Sequence, residues 1–286
     1  MKHYILLMVV VSLFSCGTAK ETIDSDTKAT SVAVPQPPTT PKPATETPTE
    51  IDNSTEKKIT VSEEKPTEIE AATVFNHDTW DSLLSKHVSE NGNVNYDGFK
   101  TDRIDLNAYI AILGKTIPND SWSTSDTLAY WINAYNALTI DLILRNQPLN
   151  SIKDIKDPWD QRLWKLGDKW YTLNDIEHQI LRKLDEPRIH FAIVCASFSC
   201  PKLQNTAFTS NDLDAQLTEA TRSFLADDNR NTITENRIEL SKIFKWFAKD
   251  FKTNGTLIEF LNQYTEVDIS PKAKKSFKDY NWDLND

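Results

Sequence analysis

The chain has 286 residues, 26% of them charged, and a formal net charge of -10 at pH 7. That acidic balance argues against a nucleic-acid partner and against polybasic contact with a membrane surface. Of its three cysteines, Cys16 stands alone near the N-terminus, and Cys195 and Cys200 form the one pair in the rest of the chain.

Met1-Lys2-His3 precedes an apolar run from Tyr4 to Phe14 that closes with Leu13-Phe-Ser-Cys-Gly17. The run is too short for a permanent bilayer span and fits the hydrophobic region of a secretory signal. Small Ser15 before Cys16, with Leu13 three positions upstream of the cysteine, resembles a bacterial lipobox. The resemblance implies cleavage after a 1–15 signal peptide, followed by acylation of the Cys16 thiol and its new amine. Two or more acyl chains anchor stably, since each buried methylene contributes about 0.8 kcal/mol. The alternative is an ordinary cleaved signal with an incidental cysteine. The expected address is the bacterial cell envelope, with a lipid anchor in the membrane (the outer membrane in the favoured reading) and the leaflet left open.

Residues 16–74 are rich in Thr, Pro, Glu, Lys and Ala, with Pro35-Gln-Pro-Pro38 and Pro41-Lys-Pro43 at the centre and no aromatic residue from Thr18 to Thr73. Such a segment cannot bury enough apolar surface to offset its ordering entropy, so a disordered tether is expected. Asn53-Ser-Thr55 matches a glycosylation sequon, which in a bacterial lipoprotein reads as a chance match.

Every tryptophan lies between Trp80 and Trp282, which marks 75–286 as one aromatic-rich domain. Ser123-Thr-Ser-Asp126 is a helix-capping pattern, and the apolar run from Leu128 to Leu144 predicts a helix that ends before Pro148. Apolar on all sides, it is expected to be buried. Asn133 and Asn136 share one face of it; as buried amides they need partners, either loops to brace or a ligand. Leu163 to Thr172 reads as a hairpin turning at Gly167-Asp168. Thr172-Leu-Asn-Asp175 opens a second helix to about Leu184. Ile189 to Cys195, bounded by Pro187 and Pro201, reads as a buried strand. Helices over Asp212–Ala226 and Lys242–Phe251 and a hairpin in Thr232–Leu240 complete an α+β domain, mainly helical with a small β-sheet.

Reactive side chains concentrate at the end of the expected strand. Cys195 and Cys200 either pair as a disulfide that fixes a turn, or leave Cys195 as an exposed thiolate and nucleophile. In a strand, the five-residue separation of His190 from Cys195 would put them on opposite faces, roughly 16 Å apart. Glu177 falls in the inward stripe of the second helix with Leu173, Ile180 and Leu184, and so needs a partner such as His190 or Arg188. His178 points the other way, toward Asn174 and Arg182, to solvent or a cleft. Glu177, His178, His190 and Cys195 are conceivable metal ligands, but no pair among them has HExxH or CxxC spacing, and neither metal nor cofactor is expected.

Leu128-Ala-Tyr-Trp-Ile-Asn-Ala-Tyr-Asn-Ala-Leu-Thr139, Leu173-Asn-Asp-Ile-Glu-His-Gln-Ile-Leu-Arg182, Arg188-Ile-His-Phe-Ala-Ile-Val-Cys-Ala-Ser197 with Ser199-Cys-Pro201, and Leu240-Ser-Lys-Ile-Phe-Lys-Trp246 occur in that order. Together with Tyr280-Asn-Trp-Asp-Leu-Asn285 they resemble the DUF547 family over about Asp78 to Asp286. The resemblance implies signature residues at Asn133, Asn136, Glu177, His178, His190, Cys195, Ser197 and Cys200, and no established reaction. Lys202 departs from the family's usual second proline after Pro201.

Two functions are expected from this pattern. One is a cysteine-dependent hydrolase or acyl-transfer enzyme, with Cys195 as nucleophile, His178 or His190 as base, and Glu177 or Asn133 orienting the ring. The other is a non-enzymatic envelope binding or scaffold domain with a structural Cys195–Cys200 disulfide, in which tryptophans such as Trp159 or Trp282 meet a peptide or glycan.

Overall fold

The computed structural model of the protein describes residues 75–286. The signal peptide 1–15, the lipid attachment at Cys16 and the tether 16–74 lie outside the described residues. Among the described residues no helix is long and apolar enough to cross a membrane.

Four helices build the first half: α1 (Asp78–His87), α2 (Tyr96–Thr101), α3 (Arg103–Lys115) and α4 (Thr124–Asn146). The capping pattern at Ser123 works as its sequence suggests, its hydroxyl accepting the Asp126 amide at 3.0 Å. Every residue of α4 from Leu128 to Ile143 is buried, as a helix apolar on all sides must be. Around it pack Trp80, Phe99 and Tyr109, with the Trp80 and Tyr109 rings stacked at 5.7 Å.

The core also holds a carboxylate. Asp141 is fully buried on α4 and accepts from Arg103 at 2.5 Å, Arg145 at 2.6 Å and the Trp164 indole at 2.6 Å. Three charge-assisted or buried bonds compensate its desolvation.

The hairpin forms as expected from β1 (Trp164–Leu166) and β2 (Lys169–Tyr171), antiparallel, with Gly167 at φ +59° in the turn. That left-handed conformation favours glycine. Farther on come α5 (Leu213–Leu225), the antiparallel pair β3 (Thr232–Ile233) and β4 (Arg237–Leu240), α6 (Ile243–Trp246) and α7 (Leu257–Asn262). A strand not foreseen from sequence, β5 (Lys274–Phe277), adds parallel to β4. A second core of Phe191, Phe224, Phe244, Phe251 and Phe260 lies in this half. The architecture is the expected one, mainly helical with small sheets.

Three local expectations are corrected. Residues Ile189 to Cys195 are no strand: Pro187–Phe191 winds as a 3₁₀ helix and an irregular segment follows. Proline in the first turn, and the Glu186 carboxylate accepting the Arg188 amide at 3.1 Å, start the 3₁₀ turn. The second helix is wound as a π-helix over Asp175–Ile180 and a 3₁₀ turn over Leu181–Lys183. The expected helix Lys242–Phe251 breaks after Trp246 and resumes as a 3₁₀ turn at Asp250–Lys252, where Asp250 takes up Arg182 and His190.

Candidate functional site

The irregular segment before Cys195 has no sheet neighbour, so its backbone polar groups need other partners. Asn136 supplies them from α4: its amide donates to the Ala192 carbonyl at 2.9 Å, and its oxygen accepts the Val194 amide at 2.9 Å. A buried side chain thus does what a neighbouring strand would have done. Asn133 makes the same bridge to another loop, with the Phe208 carbonyl at 2.8 Å and amide at 3.0 Å.

Beyond Val194 the chain turns sharply. Ala196 sits at φ +52°, a left-handed conformation uncommon outside glycine, and brings Ser197 back to within 3.1 Å of the Cys195 sulfur. Cys195 and Cys200 are joined as a disulfide, with Cys200 buried and Cys195 partly open. The turn is held from outside. Arg230 donates to the carbonyls of Cys200 at 2.7 Å and Phe198 at 2.5 Å. The C-terminal segment meets the turn through the Phe198 amide on the Asp283 carbonyl at 2.7 Å and the Asn281 amide on the Ser199 hydroxyl at 2.8 Å. The Tyr280 hydroxyl lies 3.2 Å from the Cys195 sulfur. Burial pushes the Tyr280 phenol up to about 12, so it stays protonated.

Cys195 forms part of the wall of a cavity of about 200 Å³. Much of the rest of the wall is aromatic: Trp159, Trp246, Phe247, Tyr280 and Trp282, with Tyr280 4.5 Å from Trp282 and 4.8 Å from Trp246 between ring centres. Glu177, His178 and His190 also line it.

These polar groups form a chain. Glu177, 7% exposed, accepts from the Tyr135 hydroxyl at 3.2 Å and stands 3.8 Å from His178 Nδ1. Burial raises its carboxyl to about 7, against the opposing effects of the Tyr135 bond and nearby Arg182. The Arg182 Nη1 lies 3.2 Å from His178 Nδ1, and the same guanidinium grips Asp250 with bonds of 2.6 and 2.8 Å. Asp250 in turn meets His190 Nε2 at 2.8 Å, and the His190 ring stacks on Phe247 at 4.0 Å.

Burial holds both histidines below their ordinary value, with Arg182 adding to the effect on His178 and Asp250 opposing it on His190. Partial burial alone would raise Asp250, but the bonds from His190 and Arg182 outweigh it and keep this carboxyl well below the usual range. Such shifts concentrate where acid and base chemistry is done.

The structure therefore brings Cys195, Glu177, His178 and His190 to one cavity and leaves Asn133 out of it. Asn133 is a correction, because both ends of its amide are used on Phe208. Glu177 points inward as its stripe implied, but its bond is to Tyr135 rather than to His190 or Arg188. Arg188 pairs with Glu186 and Asp214 instead. His178 lines a cleft and reaches Arg182, the second of the two options open to it. The strand-based separation of His190 from Cys195 no longer applies, since the 3₁₀ turn removes the alternation on which it rested.

Asp250 is a site residue that the sequence does not single out, and Arg182 and Tyr280 enter there only as a neighbour of His178 and as the start of the closing motif. Asp250 lies 60 residues from its partner His190, with no local pattern to link them. Among the described residues no group of three or more His, Cys, Asp or Glu side chains is arranged to hold a metal ion.

No curated protein and no solved structure matches the chain. Residues 119–225, which carry Asn136, Glu177, His178, Arg182, His190 and the cysteine pair, match the model of the family DUF547, described as a protein of unknown function.

Proposed function

We propose that the protein is a lipid-anchored envelope enzyme whose cavity carries out hydrolysis or acyl transfer through Cys195, latent while the Cys195–Cys200 disulfide is intact. The observation that carries this reading is the Asp250–His190 pair beside the wall that Cys195 forms. A carboxylate bonded to Nε2 holds the imidazole in one tautomer and stabilises its protonated form, which is the arrangement a general base needs.

Opening the bond requires a dithiol reductant, which becomes a disulfide as Cys195 and Cys200 become thiols. His190 then accepts the Cys195 proton at Nδ1, and the thiolate attacks an acyl carbon. The proton passes to the leaving group as its bond to the acyl carbon breaks. Water, deprotonated by the same ring, cleaves the thioester and returns the thiol. Hydroxyls of Ser197 and Tyr280 at 3.1 and 3.2 Å from the sulfur favour the thiolate. The aromatic walls suit an apolar or planar substrate group, a peptide side chain or a sugar face.

The disulfide itself favours a second reading, a binding domain in which the cysteines only fix the wall of a peptide- or glycan-binding cleft. The lipid anchor rests on the sequence from Leu13 to Cys16.

Alkylation of the purified chain by iodoacetamide, mapped by mass before and after treatment with a dithiol, tests the choice. The enzyme reading expects Cys195 to become reactive below pH 7 after reduction and to slow in His190→Ala. A bond that resists the dithiol, or a Cys195 no faster than an ordinary thiol, supports the binding domain.

A further inference from the structure

We propose that His178 is the donor that receives the substrate's carbonyl oxygen, presenting Nε2–H to the cavity, and that Arg182 is the positioning residue that holds it in that form. The inference rests on the acyl-transfer reading for the identity of the oxygen, but not for the location of the proton.

A guanidinium has only N–H groups to offer. The 3.2 Å contact of Arg182 Nη1 with His178 Nδ1 therefore makes Nδ1 the acceptor, and the proton of the neutral ring must sit on Nε2. Protonating Nδ1 as well would set two cations against each other and remove the acceptor. Arg182 is itself fixed, because its other nitrogens grip Asp250 at 2.6 and 2.8 Å. The Nε2 atom has no partner among the described residues, and it is not one of the buried polar atoms left without a bond. His178 lines the cavity, so its free N–H is available there.

His190 is the counterpart. Asp250 takes its Nε2–H at 2.8 Å and leaves Nδ1 as a lone pair. One ion pair thus equips two rings for opposite tasks: His178 donates and His190 accepts. Carbonyl carbon under attack needs this combination, a base for the nucleophile's proton and a donor for the oxygen that gains charge. Glu177, 3.8 Å from Nδ1, is the group that would capture that atom if Arg182 were absent.

The test is long-range ¹H–¹⁵N correlation on the full chain labelled with ¹⁵N-histidine. The five histidines are assigned by single replacement with Gln. His178 is expected with a bare Nδ1 and a protonated Nε2. In Arg182→Met its Nδ1 resonance should shift toward the protonated position as it turns to Glu177, and Arg182→Lys should restore part of the original pattern. Unchanged His77 and His87 signals report that the variants are folded. An Nδ1–H tautomer in the unaltered chain, or the same ¹⁵N pattern in Arg182→Met, overturns the inference.

Added to the reduced chain, a peptide aldehyde that forms a hemithioacetal with Cys195 should move the His178 Nε2–H proton downfield. An aldehyde adduct without that movement overturns the carbonyl role. No adduct at all, with the tautomer as stated, sinks the acyl-transfer reading and the carbonyl role with it while the Arg182–His178 coupling stands.

Discussion

The Asp141 cluster on α4 and the segment from Thr172 to Cys200 handle buried polar groups in opposite ways. In the first, Asp141 meets Arg103, Arg145 and the Trp164 indole, so the site is saturated and inert. In the second, Glu177, His178 and His190 each keep a polar atom without a close bond, and that atom belongs to a group lining a cavity. Regular α-helix accompanies the saturated cluster, while π-helix, 3₁₀ turns and a left-handed Ala196 accompany the open one. Saturation yields stability. On the proposed reading, leaving one atom of each group available is what yields reactivity, and the irregular backbone brings these groups to one cavity.

The largest effect expected from breaking this contrast is chemical. In the reduced chain, Cys195→Ser should lower turnover of an activated ester by roughly 10³-fold or more, followed by release of the chromophore. Unchanged turnover removes Cys195 as nucleophile.

Asp141→Ala should lower stability by about 3–5 kcal/mol in urea unfolding, because it strands two arginines and an indole. Asp250→Ala, whose ion pair is part-exposed, should lower stability by only about 1 kcal/mol yet abolish the thiol reactivity that depends on His190. Equal stability losses would erase the distinction between the two clusters.

Glu177 supplies a pH signature. Its carboxyl rises on folding from 4.5 to about 7, so its favourable contribution is whole below pH 4.5 and disappears as pH climbs through 7. The difference amounts to about 3 kcal/mol at 1.36 kcal/mol per unit. His77, His178 and His190, all held below their ordinary value chiefly by burial, slope the opposite way: they disfavour the folded chain as pH falls below 6.5. The comparison is therefore between the chain and Glu177→Gln. Denaturant midpoints at pH 5 and pH 8 should show the variant gaining stability relative to the parent at the higher pH, and parallel profiles would refute the assignment.

The finest contrast lies on one helix face. Asn133→Ala and Asn136→Ala each strand a backbone donor and acceptor and should each lower stability by about 2 kcal/mol. Only Asn136→Ala should alter alkylation of Cys195, because Asn136 alone braces the segment that leads to it. An equal effect from Asn133 would restore it to the site.

Much of this was legible in the chain. The cap at Ser123, the burial of α4, the hairpin at Gly167 and the inward Glu177 all follow from patterns local to their own segments. The cluster of Glu177, His178, His190 and Cys195 was legible as residue types, but its geometry was not. An apolar run such as Ile189 to Val194 carries no periodicity that separates strand from buried irregular chain. The deciding group, Asn136, lies 58 residues from Val194.

The sequence by itself determined which residues are apolar enough to be buried, which termini of helices are capped, and which segment holds the reactive side chains, because those depend on local composition and spacing. Only the tertiary structure decided that Asp250 meets both His190 and Arg182, and that Tyr280 and Trp282 from the C-terminal segment close the cavity. Those pairings join positions far apart in the chain, and no local preference of either partner specifies the other.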